Sequence, residues 1–245
     1  MPWWSKKFWS SHPRGVGVLD WRHPFFPKFV SLMSEAAAKP PVYDLGTSSR
    51  FAKEVGLVRH LFDEARYFAG GFRPDMSLGD DCCDFDCDLH NLASISDEQA
   101  GSVLCLSVLE HVLRPAAALC EIFRVLKPGG IAIVSVPFLT AYHGKTGMWR
   151  NPVYERGQNR DIDSSHATYG DFWRLTHEGL ALMFGDAGFR RVDVFPVDGR
   201  VISRLQLLGI YPSVARIPGI RQLISWLDRP QLGKTTSLHF VRAEK

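Results

Sequence analysis

The chain has 245 residues, 45% of them hydrophobic, enough to bury one large core, so a single domain is expected rather than two. Its 29 basic and 26 acidic residues leave a formal charge of +3, which gives no reason to expect a nucleic-acid partner. Five cysteines (Cys82, Cys83, Cys87, Cys105 and Cys120), an odd set without a secretory leader, argue against a disulfide framework and for the cytoplasm.

Residues 1–40 mix aromatic and basic residues with Pro2, Pro13, Pro24 and Pro27, and read as an N-terminal cap. A short helix "FVSLMSEAAAK" closes this part and stops at Pro40 and Pro41. No apolar run reaches the roughly 20 residues of a spanning helix, so membrane contact would be peripheral. The cluster Trp3, Trp4, Phe8 and Trp9 with Lys6 and Lys7 suits such an interfacial contact.

"VYDLG" reads as a buried strand reaching a turn, followed by a helix over "FAKEVGLVRHLFDEAR". "YFAGGF" is a second strand, "DFDCDLHNL" a third with its exit loop, and "SVLCLSVL" a fourth. A helix at "RPAAALCEIFRVL" leads through the Lys127-Pro128-Gly129-Gly130 turn to a fifth strand, "IAIVSVPF". Strands apolar on both faces that alternate with helices predict an α/β, doubly wound fold with a parallel sheet covered on both sides.

From Leu139 to Thr176 the chain is polar and aromatic, with His143, Trp149, Tyr154, His166, Tyr169 and Trp173, and its length points to a lid or binding loop. "HEGLALMFGDAGF" restores a helix that Gly188 ends, and "RRVDVFPV" is a strand. Residues 199–234 carry six basic residues against one acid, Asp228, before a last strand at "SLHFVRA". The expected organisation is one domain: cap 1–40, cofactor-binding core 41–138, lid 139–176, and a C-terminal half 177–245 with a basic helical insertion at 199–234.

In a doubly wound sheet the ligand sits at the carboxyl ends of the strands, which places "DLGTSSR" beneath it. A dinucleotide loop needs G-x-G-x-x-G so that a pyrophosphate can approach bare backbone; here only Gly46 remains, with Ser48 and Arg50 where further glycines would stand. The acid that grips a ribose at the end of the second strand is also missing from "YFAGGF". Both departures count against a nicotinamide cofactor, whereas Thr47 and Ser48 offer hydroxyls to a carboxylate.

"LSVLEHVLRPAAALCEIFRVLKPGGIAIVSVPF", residues 106–138, resembles the class I S-adenosylmethionine-dependent methyltransferases, in the branch with V-L-E-H-V, a helix, R-V-L-K-P-G-G and an apolar strand. With "YDLG" upstream, the resemblance covers about residues 41–198. It implies a mostly parallel, Rossmann-like seven-stranded sheet and S-adenosyl-L-methionine as cofactor. By position it implies that Asp44 and Gly46 contact the methionine part, that Asp88 and Leu89 lie beside adenine, and that Ser107 and Val108 form the floor under the sulfonium. Asp75 in "FRPD" is the candidate substitute for the missing ribose acid. "YGDFWRLTHEGLALMF" is similar to a segment of bacterial relatives associated with cell-surface glycan or lipid-linked sugar pathways, which implies a sugar or glycan acceptor.

Transfer to an oxygen needs a proton acceptor. His143, just past the fifth strand, is the first candidate, His166 in the lid the second, and Glu110 and His111 follow. "CCDFDCDLH" gathers three cysteines and His90, but in no standard spacing of zinc hooks, so no metal is expected there or elsewhere. Alternation sends Cys83 and Cys87 to one face as small core residues, and Cys105 and Cys120 read as packing residues. In the C-terminal insertion Val201, Leu205 and Leu208 share one face, as do Ile220, Leu223, Ile224 and Leu227; such stripes pack on the domain, on a second copy in a homodimer, or on a membrane surface. Pro212 and Pro218 forbid one continuous helix. The rival functional readings are a small-molecule O- or N-methyltransferase, an inactive methyltransferase-like module that binds a glycan or a partner enzyme, and a nicotinamide-dependent oxidoreductase.

Overall fold

The computed structural model describes residues 23–71, 83–144, 170–208, 210–214, 217, 219–228, 230 and 235–245. The tryptophan cluster near the N-terminus, Asp75, Cys82, His166, Pro218 and most of the expected lid lie outside the described residues.

Seven strands form one sheet: β1 (Val42–Leu45), β2 (Tyr67–Gly71), β3 (Phe85–Asp86), β4 (Ala100–Leu106), β5 (Leu126–Pro137), β6 (Arg191–Pro196) and β7 (Leu238–Glu244). Their order is β3-β2-β1-β4-β5-β7-β6, parallel except for β7, which runs antiparallel between β5 and β6. The expected doubly wound, mostly parallel seven-stranded sheet is therefore what forms.

Burial on both faces explains why the central strands read as unbroken apolar runs. In β4, Val103 and Cys105 point into one hydrophobic cluster while Leu104 and Leu106 point into the other. Helix α1 (Phe26–Ala37) covers the second face through Phe29, Leu32, Met33 and Ala36, an i, i+3, i+4, i+7 stripe that is fully buried. The helix is thus a layer of the core, tied to the sheet by the Ser102 hydroxyl donating to the Ala36 carbonyl at 2.9 Å.

The first face is covered by α2 (Pro115–Val125) and α3 (His177–Asp186). Pro115 opens α2 where its missing N–H costs nothing. Thr176 caps α3 by accepting from the Gly179 N–H, and the helix ends before Gly188, whose φ of +106° suits glycine.

Four expectations need correction. The stretch 51–66 is not an α-helix: 3₁₀ turns run over Lys53–Leu61, broken at Val58, and over Glu64–Arg66. Phe51 and Lys53 both take positive φ, which an α-helix does not allow, and Phe51 instead stacks on Tyr67 at 4.1 Å. The third strand keeps only Phe85–Asp86. Lys127–Gly130 is a bulge inside β5 rather than a turn before it: pairing jumps from Ala100–Leu126 to Ser102–Ile131, with Gly129 at φ +74°. Cys120 is exposed on α2, whereas Cys87 and Cys105 are buried and Cys83 is half-buried.

The C-terminal insertion forms α4 (Arg200–Leu207), α5 (Tyr211–Val214) and α6 (Ile220–Leu227). Asp228 receives the N–H groups of Gly199, Val201 and Ile202 and so anchors the start of α4. Ile202 and Ile224 pack inward, but Leu208, Leu223, Trp226 and Leu227 remain exposed, so these stripes do not wholly pack on the domain. No helix among the described residues is long and apolar enough to cross a membrane.

Candidate active site

Strand order reverses between β1 and β4, and the loops leaving their carboxyl ends meet there. Gly46 follows β1 at φ +72°, and both its N–H and that of Thr47 donate to the Gly70 carbonyl. A Cβ at Gly46 would lie 2.5 Å from Val108 Cγ1, so the surviving glycine is required by the loop after β4. Gly46→Ala is expected to destabilise the protein by about 2 kcal/mol through the left-handed backbone and this clash. The check is the urea midpoint, and an unchanged midpoint would show that Val108 moves aside.

The missing ribose acid has a packing cause. A Cβ at Gly71 would meet Cys83 Sγ at 2.7 Å, and one at Gly70 would meet the Phe85 ring at 2.5 Å. Nearby, Asp84 accepts from the Ala69 N–H and holds Arg50 through two 2.7 Å hydrogen bonds.

At the carboxyl ends of β1 and β4 lies a small crevice lined by Asp44, Gly46, Thr47, Lys53 and Leu106 among others. Asp44 is buried, and its Oδ2 accepts from the Tyr67 hydroxyl at 2.5 Å. Burial pushes its carboxyl up to about 6, against the pull of Tyr67 and Lys53. Lys53, which sequence reasoning passed over, donates from Nζ to the Leu106 carbonyl at 2.8 Å and lies 3.4 Å from that of Ser107. Ser107 stands at φ +52°, its N–H donating to Ser135.

The remaining expected cofactor residues are less gathered. The Thr47 hydroxyl donates to the Ser49 carbonyl, and Ser48 is exposed. Asp88 is half exposed and accepts from the His90 N–H, while Leu89 is buried in the core.

A second group sits just past β4 and β5. A 3₁₀ turn over Leu109–His111 carries Glu110, fully buried, and His111. The segment 170–174 is pinned to this turn: Phe172 N–H donates to the Glu110 carbonyl, Trp173 Nε1 to the Val112 carbonyl, and Gly170 O lies 2.5 Å from His111 Nδ1. That docking brings Asp171 to His143, which lies six residues beyond the end of β5. Asp171 Oδ2 accepts from the His143 backbone N–H at 2.9 Å and lies 3.3 Å from Nδ1, while Arg174 clamps the same carboxylate through both of its terminal nitrogens. His143 Nε2 is 3.5 Å, and His111 Nε2 3.6 Å, from Glu110 Oε1.

Burial works against charge on both imidazoles and prevails at His111, whose pKa is lowered. At His143 burial is outweighed by Glu110 and Asp171, and its pKa is raised. The structure thus brings His143, His111 and Glu110 together and adds Asp171 and Arg174. The only sign of that pair in the sequence was an acid and a base three residues apart in "DFWR".

Residues 73–134, about a quarter of the chain, match the protein family described as "Methyltransferase domain". No curated protein matches the chain. Among solved structures, a SAM dependent methyltransferase from Archaeoglobus fulgidus is similar at 15% identity and a TM-score of 0.52, over 89% of this chain and 92% of that one. An S-adenosylmethionine dependent methyltransferase from Mesorhizobium loti is similar at 15% identity and a TM-score of 0.50, over 90% and 97%. The fold is that of the class I methyltransferases, with the strand order described above.

The crevice fits the amino-acid end of S-adenosylmethionine in charge: an anion, Asp44, and a cation, Lys53, lie on its wall to face an ammonium and a carboxylate. The enclosed space is only about 10 Å³, room for roughly one water molecule, so the whole cofactor does not fit while Lys53 holds the Leu106 carbonyl.

Proposed function

We propose that the chain is an S-adenosylmethionine-dependent methyltransferase that methylates an oxygen of a hydroxylated acceptor, a sugar or lipid-linked glycan. The observation that carries this reading is the placement of His143, backed by Asp171, beside the carboxyl ends of β4 and β5 in a methyltransferase-ordered sheet. The bound cofactor supplies a methyl group activated by its sulfonium. Asp44 and Lys53 are the residues to hold its amino-acid end. Gly46, Ser107 and Val108 shape the loops beside its sulfonium, and Asp88 with Leu89 lie toward adenine, as the sequence resemblance implies.

The protein's own chemical task is alignment and proton removal. Asp171 and the Ala141 carbonyl, each 3.3 Å from His143 Nδ1, favour the proton on that nitrogen. Nε2 then carries the lone pair that would take the proton of an acceptor hydroxyl. The sugar acceptor rests on the similarity of the segment around "DFWRLT" alone.

The deciding experiment is calorimetric titration with S-adenosylmethionine and S-adenosylhomocysteine, with NAD as control. Micromolar binding of the first two supports the reading, and Asp88→Ala is expected to weaken it severalfold; equal affinity in that variant removes the adenine-side assignment. A second reading, a binding module of the same fold, is favoured by Lys53, which bridges the crevice to the Leu106 carbonyl. Absence of cofactor binding in wild type together with its appearance in Lys53→Ala would select that reading.

A further inference from the structure

Glu110, His111 and His143 form the one group of three metal-capable side chains among the described residues whose ligand atoms all lie within 4.8 Å of one another. Glu110 is fully buried, and neither of its carboxylate oxygens has a hydrogen-bond partner among the described residues. The nearest donors in reach, the two imidazole Nε2 atoms at 3.5 and 3.6 Å, stand beyond normal hydrogen-bond length. An orphaned buried carboxylate is costly and needs a positive partner.

The far side of each ring states what that partner is. His111 Nδ1 lies 2.5 Å from the Gly170 carbonyl, which can only accept, so this nitrogen carries the proton and Nε2 is left with a lone pair. His143 Nδ1 faces the Ala141 carbonyl and Asp171, again acceptors, and its Nε2 is left the same way. Two ring nitrogens and a carboxylate oxygen thus converge, with edges of 3.5 and 3.6 Å to Glu110 Oε1. A divalent cation satisfies all three at once.

We propose that Glu110, His111 and His143 bind a divalent first-row transition metal ion, such as Zn²⁺ or Co²⁺, through Glu110 Oε1 and the two Nε2 atoms, with coordination positions left open. Two imidazoles and a carboxylate are a donor set suited to these ions. Tetrahedral bond lengths place ligand atoms roughly 3.3 Å apart, close to the 3.5 and 3.6 Å found for the two edges to Glu110. The contacts of Nδ1 to Gly170, Ala141 and Asp171 are the outer partners that fix the orientation of ligating imidazoles. The proposal departs from the expectation of a metal-free protein and lies apart from the cysteine cluster around Cys83 and Cys87. It stands on its own geometry and does not depend on the methyl-transfer reading; with an ion bound, His143 Nε2 is a ligand in place of a base, and the ion would act as a Lewis acid on the acceptor hydroxyl.

The test uses the full chain stripped with a chelator and titrated with Co²⁺, followed by visible absorption, with Zn²⁺ as competitor. One Co²⁺ per chain at micromolar affinity or tighter is expected, with d–d bands of nitrogen and oxygen ligation and no thiolate charge-transfer band. Glu110→Gln and His143→Ala should each weaken binding about 100-fold or more, and Asp171→Asn about tenfold. Circular dichroism and unfolding midpoints verify that the variants fold, and His111→Ala replaces Glu110→Gln if the latter does not. Failure of the wild type to take up either ion overturns the proposal, as does undiminished binding in the folded variants or a thiolate band. Because metal uptake is read without cofactor or acceptor, loss of the methyltransferase reading would leave this result untouched.

Discussion

Replacing His143 with alanine is expected to lower methyl transfer by about 100- to 10,000-fold while leaving affinity for S-adenosylhomocysteine unchanged. The split follows from position. His143 belongs to the group past β4 and β5, with Glu110 and Asp171, whereas the crevice that fits the cofactor is lined by Asp44, Gly46, Thr47, Lys53 and Leu106. Its side chain can be lost without opening the core, because its backbone N–H, which holds Asp171, remains. Asp171→Asn keeps the shape but weakens the hold on Nδ1, and should cost about tenfold. Calorimetry with S-adenosylhomocysteine and turnover with a hydroxylated acceptor separate the two quantities. Full turnover in His143→Ala would remove it from the chemistry, and a parallel loss of cofactor affinity would place it in the binding site instead. Chelator treatment of the wild type distinguishes its two possible tasks: a base working alone keeps its activity, whereas a metal ligand loses it.

Where local pattern and tertiary burial agree, the fold was legible. β4, α2 and β5 carry long apolar runs with a proline-opened helix between them, and β6, β7 and α1 show the expected periods. The failure at residues 51–66 is of another kind. Its composition suits a helix, yet Phe51 gains more by stacking on Tyr67, and Lys53 by reaching two carbonyls at the end of β4, than either would in a helical turn. Those partners lie 16 and more than 50 residues away in sequence, where no periodicity can show them.

The candidate group was legible only residue by residue. His143, Glu110 and His111 stood out as chemical types in the right loops, but their convergence depends on residues 170–174 folding back onto 110–112 through Phe172 and Trp173. Asp171 and Arg174 acquire their role from that docking, and the sequence holds only their spacing. The absent acid after β2 was visible as an absence, while its cause, Cys83 and Phe85 filling the space, belongs to packing.

Asp44→Asn is expected to make the protein more stable and to weaken its grip on the cofactor. A carboxyl that titrates at about 6 when folded, against an ordinary value of 3.8, binds its proton more tightly in the folded than in the unfolded chain. Stability from this group is therefore fully present below the ordinary value and is lost as pH rises through 6. Above that, holding the buried anion costs about 3 kcal/mol. Asparagine is neutral at every pH and can still accept from the Tyr67 hydroxyl, so the variant should gain about that amount at pH 8, a rise in Tm of roughly 6–10 °C. At pH 4.5, where the folded wild type is already protonated, the gain should shrink to about 1 kcal/mol. A gain independent of pH would show that the anion is not its source. The same anion is what the crevice offers an ammonium group, so S-adenosylhomocysteine should bind the variant about tenfold or more weakly at pH 8. Wild-type affinity should likewise fall as pH drops through 6. A variant that is stabilised yet binds as well as wild type would leave Asp44 a packing cost with no role in holding the cofactor. A stabilised variant that binds poorly would identify the buried acid as stability given up for the site.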